Sequence, residues 1–242
     1  MIRLFTSCSA SRSDVRRVLT TAVAAGAALA ALGPIEAGGA CLNCGSVSGT
    51  ITVEQAFIRT DGAKNDCDVV VTLEPVGTAA PTSPDYRAAM DQKGLVFEPH
   101  VLSVPLGATV TFLNSDHEQH NVYFLDDRTG DSLDLGTWGP GISVDHTFDN
   151  PGMVITLCKL HLEMAAYVVV SPSPWFTQAE FESADEPVRF EIVDVPAGEY
   201  QLSVWHKKLK QKGGPVRINV RSETMTEVNI VITKAKYARA PR

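Results

Sequence analysis

Past residue 40, the apolar residues of this chain gather in short runs and not in helical stripes. The runs are SVSGTITV, CDVVVTLEPV, HVLSVPL, ATVTFLN, HNVYFL, SVDHTFD, MVITLC, AYVVVS, VRFEIVDV, YQLSVWH, VRINV and EVNIVIT, with Gly, Pro, Asn or Asp between them. Several alternate: Val110, Phe112 and Asn114 fall on one side of a strand, Thr109, Thr111 and Leu113 on the other. About a dozen strands at short spacing predict an all-β fold of antiparallel sandwiches or barrels. The stretch from Val76 to Asp91 reads as a polar, Pro-containing connection, and SPSPWFTQAEFESADEP as a second linker.

The first 40 residues follow a different pattern. Arg12, Arg16 and Arg17 precede an apolar, Ala-rich run from Val18 to Leu32, and small residues then gather at EAGGAC. This is the order of an export signal, cut after Ala40 or Ala37, with Ala30 as a further site. RRVLT partly matches a twin-arginine signal, so the Sec and twin-arginine routes both stay open. An uncut membrane anchor and a lipid at Cys41 are the alternatives. After residue 40 nothing approaches the ~18 continuous apolar residues needed to cross a bilayer, so no transmembrane span is expected in the mature chain. The expected location is the periplasm, an oxidising compartment. There Cys41 and Cys44 are both candidate disulfide partners for Cys67, and the sequence leaves the pairing open. CLNCGS lacks the His that a haem-attachment site requires, because Gly45 stands in its place.

Charge is divided along the chain. Residues 41–200 hold seven Lys/Arg against 24 Asp/Glu, and residues 201–242 hold ten against two. The acidic body argues against nucleic acid as a partner. The basic end, HKKLKQK and the 236–242 tail, suits weak contact with an anionic membrane surface or an acidic partner, and equally an ordinary solvated face.

The candidate chemistry lies in CKLHLEM. Cys158 follows the strand MVITL, His161 comes three residues on, Met164 three more, and AYVVV resumes the sheet. His120 heads the strand HNVYF, 38 residues before Cys158, with Asn121 next to it. Two imidazoles and a thiolate with a weak axial thioether are the donor set of a blue copper site. Taken singly, each has an ordinary structural explanation, but all four types in this order between strands favour one mononuclear site. A dinuclear copper centre would need a second Cys where Leu162 stands. A multicopper oxidase would flank the Cys with His, where Leu157 and Lys159 stand.

LGATVTFLNSDHEQHNVYF and PGMVITLCKLHLEMAAYVVV resemble cupredoxins, the plastocyanin- and amicyanin-like blue copper domains. The resemblance implies a Greek-key sandwich over residues 93–171 that binds one copper ion, Cu(I)/Cu(II), through His120, Cys158, His161 and Met164. It gives Asn121 an outer-shell role, with its N–H toward the thiolate and its side chain stapling the ligand loop. His100, in FEPHVLSVPLG, corresponds to an early strand that delivers a ligand or a close neighbour in some copper proteins of this fold. His117 is expected to face solvent and His146 to lie on a strand surface.

RFEIVDVPAGEYQLSVWH resembles a carboxypeptidase-regulatory-like β-sandwich, whose usual opening pair appears at GSVSGTITV and CDVVVTLEPV. This implies that the cupredoxin is inserted in, or flanked by, a second small Ig/transthyretin-like sandwich made of residues 45–76 and 172–235. The whole arrangement is similar to exported proteins labelled methylamine-utilisation-like, a label that does not fix a pathway. The implied role is a periplasmic one-electron carrier that docks transiently with redox proteins, with no enzymatic activity of its own. Copper storage or delivery, and a cell-envelope binding module with an accessory copper site, are the other readings.

Overall fold

The computed structural model describes residues 41, 43–54, 67–181 and 186–234. The export signal at 1–40 and the basic tail at 236–242 lie outside the described residues. Among those described there is no helix, and seventeen strands carry the fold. In chain order they are β1 (Cys44–Val53), β2 (Asp68–Pro75), β3 (Arg87–Gln92), β4 (Phe97–Glu98), β5 (Val101–Pro105), β6 (Thr109–Asn114), β7 (His120–Asp126), β8 (Ser132–Trp138) and β9 (Ser143–Thr147). Then follow β10 (Gly152–Leu157), β11 (Ala165–Ser171), β12 (Phe176–Glu180), β13 (Val188–Pro196), β14 (Gly198–His206), β15 (Leu209–Gln211), β16 (Val216–Val220) and β17 (Met225–Lys234).

Strands β3 to β11 form two sheets, in the orders β5-β11-β10-β7-β8 and β4-β3-β6-β9. Their inner faces enclose Met90, Val110, Phe112, Val122, Phe124 and Val168. The alternation read in TVTFLN is obeyed, with Val110, Phe112 and Asn114 buried and their neighbours half-buried. β3 lies inside the supposed connection and pairs in parallel with β6, with Arg87 opposite Thr109 and Gln92 opposite Asn114. RAAMDQ has no β-branched residue, so propensity gave no sign of a strand.

The remaining eight strands share one sheet, ordered β12-β2-β14-β15-β17-β1-β13, with β16 paired to β14. β1 and β2 precede β3 to β11 in the chain, and β12 to β17 follow them. This sheet wraps its own core of Val47, Ile51, Leu73, Phe190, Leu202 and Ile232. Gly49 is required where β1 runs parallel to β17, because a Cβ there would overlap the Val228 carbonyl. Buried Tyr200 donates from its hydroxyl to the Pro196 carbonyl at 2.9 Å and closes the β13–β14 turn. The supposed second linker contains β12, which pairs antiparallel with β2. Cys41 and Cys44 are bonded to each other, so neither is the partner of Cys67. Cys67 is buried in this core.

The two groups of strands meet at a third apolar cluster of Val70, Val101 and Val169, flanked by Met153, Tyr167 and Trp205. A polar clasp lies beside it. Ser103 donates to Gln178 Oε1 at 2.8 Å, and Gln178 Nε2 donates to Asp68 Oδ1 at 2.7 Å and to the Val101 carbonyl at 3.2 Å.

Candidate metal centre

β7 begins where β10 ends and β11 begins. Leu157 on β10 is opposite Tyr123 on β7 and Ala165 on β11, so residues 158–164 form a short loop over the strand ends beside His120. Two backbone bonds close it, from Cys158 N to the Met164 carbonyl at 3.3 Å and from Met164 N to the His161 carbonyl at 3.0 Å. Strand ends and a tight loop therefore bring together residues that are 38 apart in sequence. Among the described residues, His120, Cys158 and His161 form a group whose donor atoms lie within 4.8 Å of one another. Met164 is buried in the same core as Cys158.

The donor atoms converge. His120 Nδ1 lies 3.1 Å from His161 Nδ1, which lies 3.7 Å from Cys158 Sγ. Donors this close together are within reach of a single ion. Protonation also favours a cation. An ionised carboxylate only accepts hydrogen bonds, and Asp116 Oδ2 lies 2.9 Å from His120 Nε2. An Nε2–H tautomer of His120 satisfies this contact and leaves Nδ1 a lone pair toward His161 and Cys158. One proton on His161 satisfies a single contact of this cluster, whereas a soft metal ion satisfies all three donors. Imidazole and thiolate suit copper, so the residues present fit the group.

The outer contacts fix this arrangement. His120 is fully buried, with 0% exposure. Asn121 N–H points at Cys158 Sγ at 3.5 Å. Its Oδ1 accepts from Lys159 N at 3.2 Å, and its Nδ2 donates to Asp134 Oδ1 and to the Gly136 carbonyl, both at 2.8 Å. The Lys159 ammonium on Asp134, then Asn121 and Gly136 N–H, hold the Asp134 carboxyl down at about 2. Burial works against ionisation of Asp116. The N–H groups of Leu95 and Gly94 and the His120 ring outweigh it and keep the carboxyl below its usual range. Sequence reasoning did not single out Asp116 or Asp134. The only signal for Asp116 was its place four residues before His120 in the same turn.

His100 does not join the group. Its carbonyl accepts from Tyr167 N at 2.9 Å. Its ring packs edge-on to Tyr167 with centroids 5.4 Å apart, and its Nε2 lies 3.1 Å from Lys207 Nζ. Tyr167 alternates along β11 with Ala166 and Val168, which face the copper-side core, so His100 sits on the opposite face. His117 is exposed. His146 is half-buried between Phe124 and Phe148 and is not a free strand surface. His206 caps the β14–β15 turn, its Nδ1 accepting from Lys208 N and Leu209 N.

Residues 85–171 match the family described as copper binding proteins, plastocyanin/azurin family. Among solved structures, a purple cupredoxin from Nitrosopumilus maritimus is 24% identical over 35% of this chain and 99% of its own, with a TM-score of 0.32. A copper-containing nitrite reductase from Thermus scotoductus is 25% identical over 40% of this chain, with a TM-score of 0.34; only 25% of the reductase is covered. An oxidised amicyanin variant is 24% identical over 42% of this chain and 98% of its own, with a TM-score of 0.34. No curated protein matches the chain.

Proposed function

We propose, from the premise that residues 85–171 are a copper-binding cupredoxin domain of the plastocyanin/azurin family, that this protein is an exported one-electron carrier. The observation that carries the reading is the convergence of His120 Nδ1, His161 Nδ1 and Cys158 Sγ at 3.1 and 3.7 Å. Copper bound there would supply a Cu(I)/Cu(II) couple, held by His120, Cys158 and His161, with Met164, buried in the same core, as the further donor. Asn121 orients the thiolate through its N–H and ties the loop down through Lys159 N.

His161 is half-buried at the rim, and apolar side chains stand around it. Leu160 is 52% and Leu162 88% exposed. Leu95, Val96 and Ile142 are also exposed, on turns tied to Asp116 and Asn114. Such a patch suits brief, weak docking with a redox protein. We assign the periplasm from the signal-like first 40 residues. The eight-stranded sheet is a second module interrupted by the copper domain; β2 pairing with both β12 and β14 supports this.

Optical and EPR spectra of the copper-loaded protein test the function. The expected result is an intense thiolate band near ~600 nm from the trigonal donor set that disappears in Cys158→Ser. A copper-loaded protein with weak bands only, unchanged by that substitution, refutes the carrier.

A further inference from the structure

The turn that carries His120 also carries a carboxylate fixed more firmly than a turn requires. Asp116 Oδ1 accepts from Gly94 N at 2.6 Å, and Oδ2 accepts from Leu95 N at 2.9 Å and faces His120 Nε2 at 2.9 Å. Its own N–H donates to Asn114 Oδ1 at 3.0 Å. Both oxygens are therefore engaged. The two amide donors come from a distant turn between β3 and β4, closed by Lys93 N to the Val96 carbonyl at 3.0 Å. Both central residues are left-handed, Gly94 at φ 67° and Leu95 at φ 60°. A two-residue hairpin of this hand needs positive φ at both positions, which a bulky residue such as Leu95 adopts only at a cost. In that conformation both central amides point at one carboxylate.

We propose that Asp116 is a positioning residue of the copper site, which locks His120 in its Nε2–H tautomer and biases the site toward the more highly charged ion, Cu(II). This rests on the carrier reading. The carboxylate orients the ring, since a hydrogen-bonded imidazole presents its other nitrogen in a fixed direction and is a stronger donor. It also places a full negative charge one imidazole away from the ion. A neutral acceptor in its place would orient the ring without the charge. The interaction favours the doubly charged over the singly charged ion, so it lowers the tendency to take up an electron. The charge acts through His120, which is 0% exposed, while the Asp116 side chain itself is 16% exposed, so water screens it in part.

The test has two parts on the full chain. In copper-free wild type, ¹⁵N NMR of the histidine rings should report His120 as the Nε2–H tautomer; finding the proton on Nδ1 overturns the proposal. In the copper-loaded protein, Asp116→Asn, an isosteric change that removes the charge, should lower the Cu(II)-over-Cu(I) affinity ratio about tenfold. That is a rise of about 59 mV for a one-electron couple. Asp116→Glu should recover most of it. An Asp116→Asn protein that loses stability but keeps the wild-type potential means that Asp116 only ties two turns together, and this too overturns the proposal. Should Asp116→Asn not fold, the wild-type tautomer decides. A missing ~600 nm band would sink the carrier reading, while the tautomer of the copper-free protein would still decide whether Asp116 orients His120.

Discussion

Replacing Asn121 by Ala separates the two tasks assigned to that residue. Its backbone N–H to Cys158 Sγ survives the change, whereas the three side-chain bonds, to Lys159 N, Gly136 O and Asp134 Oδ1, are lost. The side chain is 3% exposed. The Lys159 amide and the Gly136 carbonyl are backbone groups left short of a partner, each costing about 1–1.5 kcal/mol. Asp134 is 43% exposed and regains water, so it adds little. A small cavity brings the total to about 2–4 kcal/mol. Urea unfolding of the copper-free protein should show that loss. Because the amide of Lys159, next to Cys158, is no longer anchored, copper affinity measured against a competing chelator should also fall about 10–100-fold. The ~600 nm band expected of this donor set should persist, since the thiolate keeps its donor. A copper-free Asn121→Ala protein within about 0.5 kcal/mol of wild type, the range of an uninvolved surface change, with unaltered copper affinity, would refute the stapling role.

Two further predictions concern the second sheet and the junction. Burial pushes the Asp68 carboxyl up to about 6, against the opposing bond from Gln178. A raised acid stabilises the fold below its ordinary value of 3.8, and that contribution is lost as pH rises through about 6. Its upper bound is about 3 kcal/mol, reduced to about 2 by partial exposure. Asp68→Asn should therefore gain stability relative to wild type between pH 4 and pH 7, in the ~1–3 kcal/mol range, by thermal unfolding; a pH-independent difference contradicts this. Gly49→Ala forces a methyl into the Val228 carbonyl and should cost more than about 2 kcal/mol while leaving the copper spectrum intact. Wild-type stability in this variant would contradict the close β1–β17 approach.

The candidate donors His120, Cys158, His161 and Met164 were legible in the sequence for a local reason. Three of them lie in seven consecutive residues between two apolar runs, and the fourth heads a β-branched, aromatic strand. Strand ends then fix their positions, whatever the rest of the chain does. Asp116 was not legible in the same way, although it is only four residues from His120. Its orientation is set by the amides of Gly94 and Leu95, 22 and 21 residues upstream, and no spacing rule connects a turn to a carboxylate across that gap. His100 illustrates the reverse limit. Its place on an early strand suggested proximity to copper, but which face of β5 meets the copper core depends on the parallel pairing with β11, in which Val101 is opposite Tyr167. β8 escaped notice because SLDLGTW carries Asp and Gly in an exposed edge strand, where burial imposes no apolar alternation.

One sequence feature does account for the junction between the two groups of strands. AAYVVV in β11 is apolar on both parities, which suits a strand covered on both faces and not one with a solvent side. Ala166, Val168 and Val170 enter the copper-side core, while Tyr167 and Val169 meet Val70 and Trp205 of the other sheet. β11 is also the strand that directly follows the ligand loop, beginning one residue after Met164. The second sheet therefore packs against the strand that anchors the loop's C-terminal end. A movement between the two groups of strands would have to displace β11, and with it the backbone bonds from Cys158 N to Met164 O and from Tyr167 N to His100 O. Covering β11 on its outer face stiffens the loop at that end in the same way that Asn121 stiffens it at Lys159. The geometry of the donors is held from both ends of the loop.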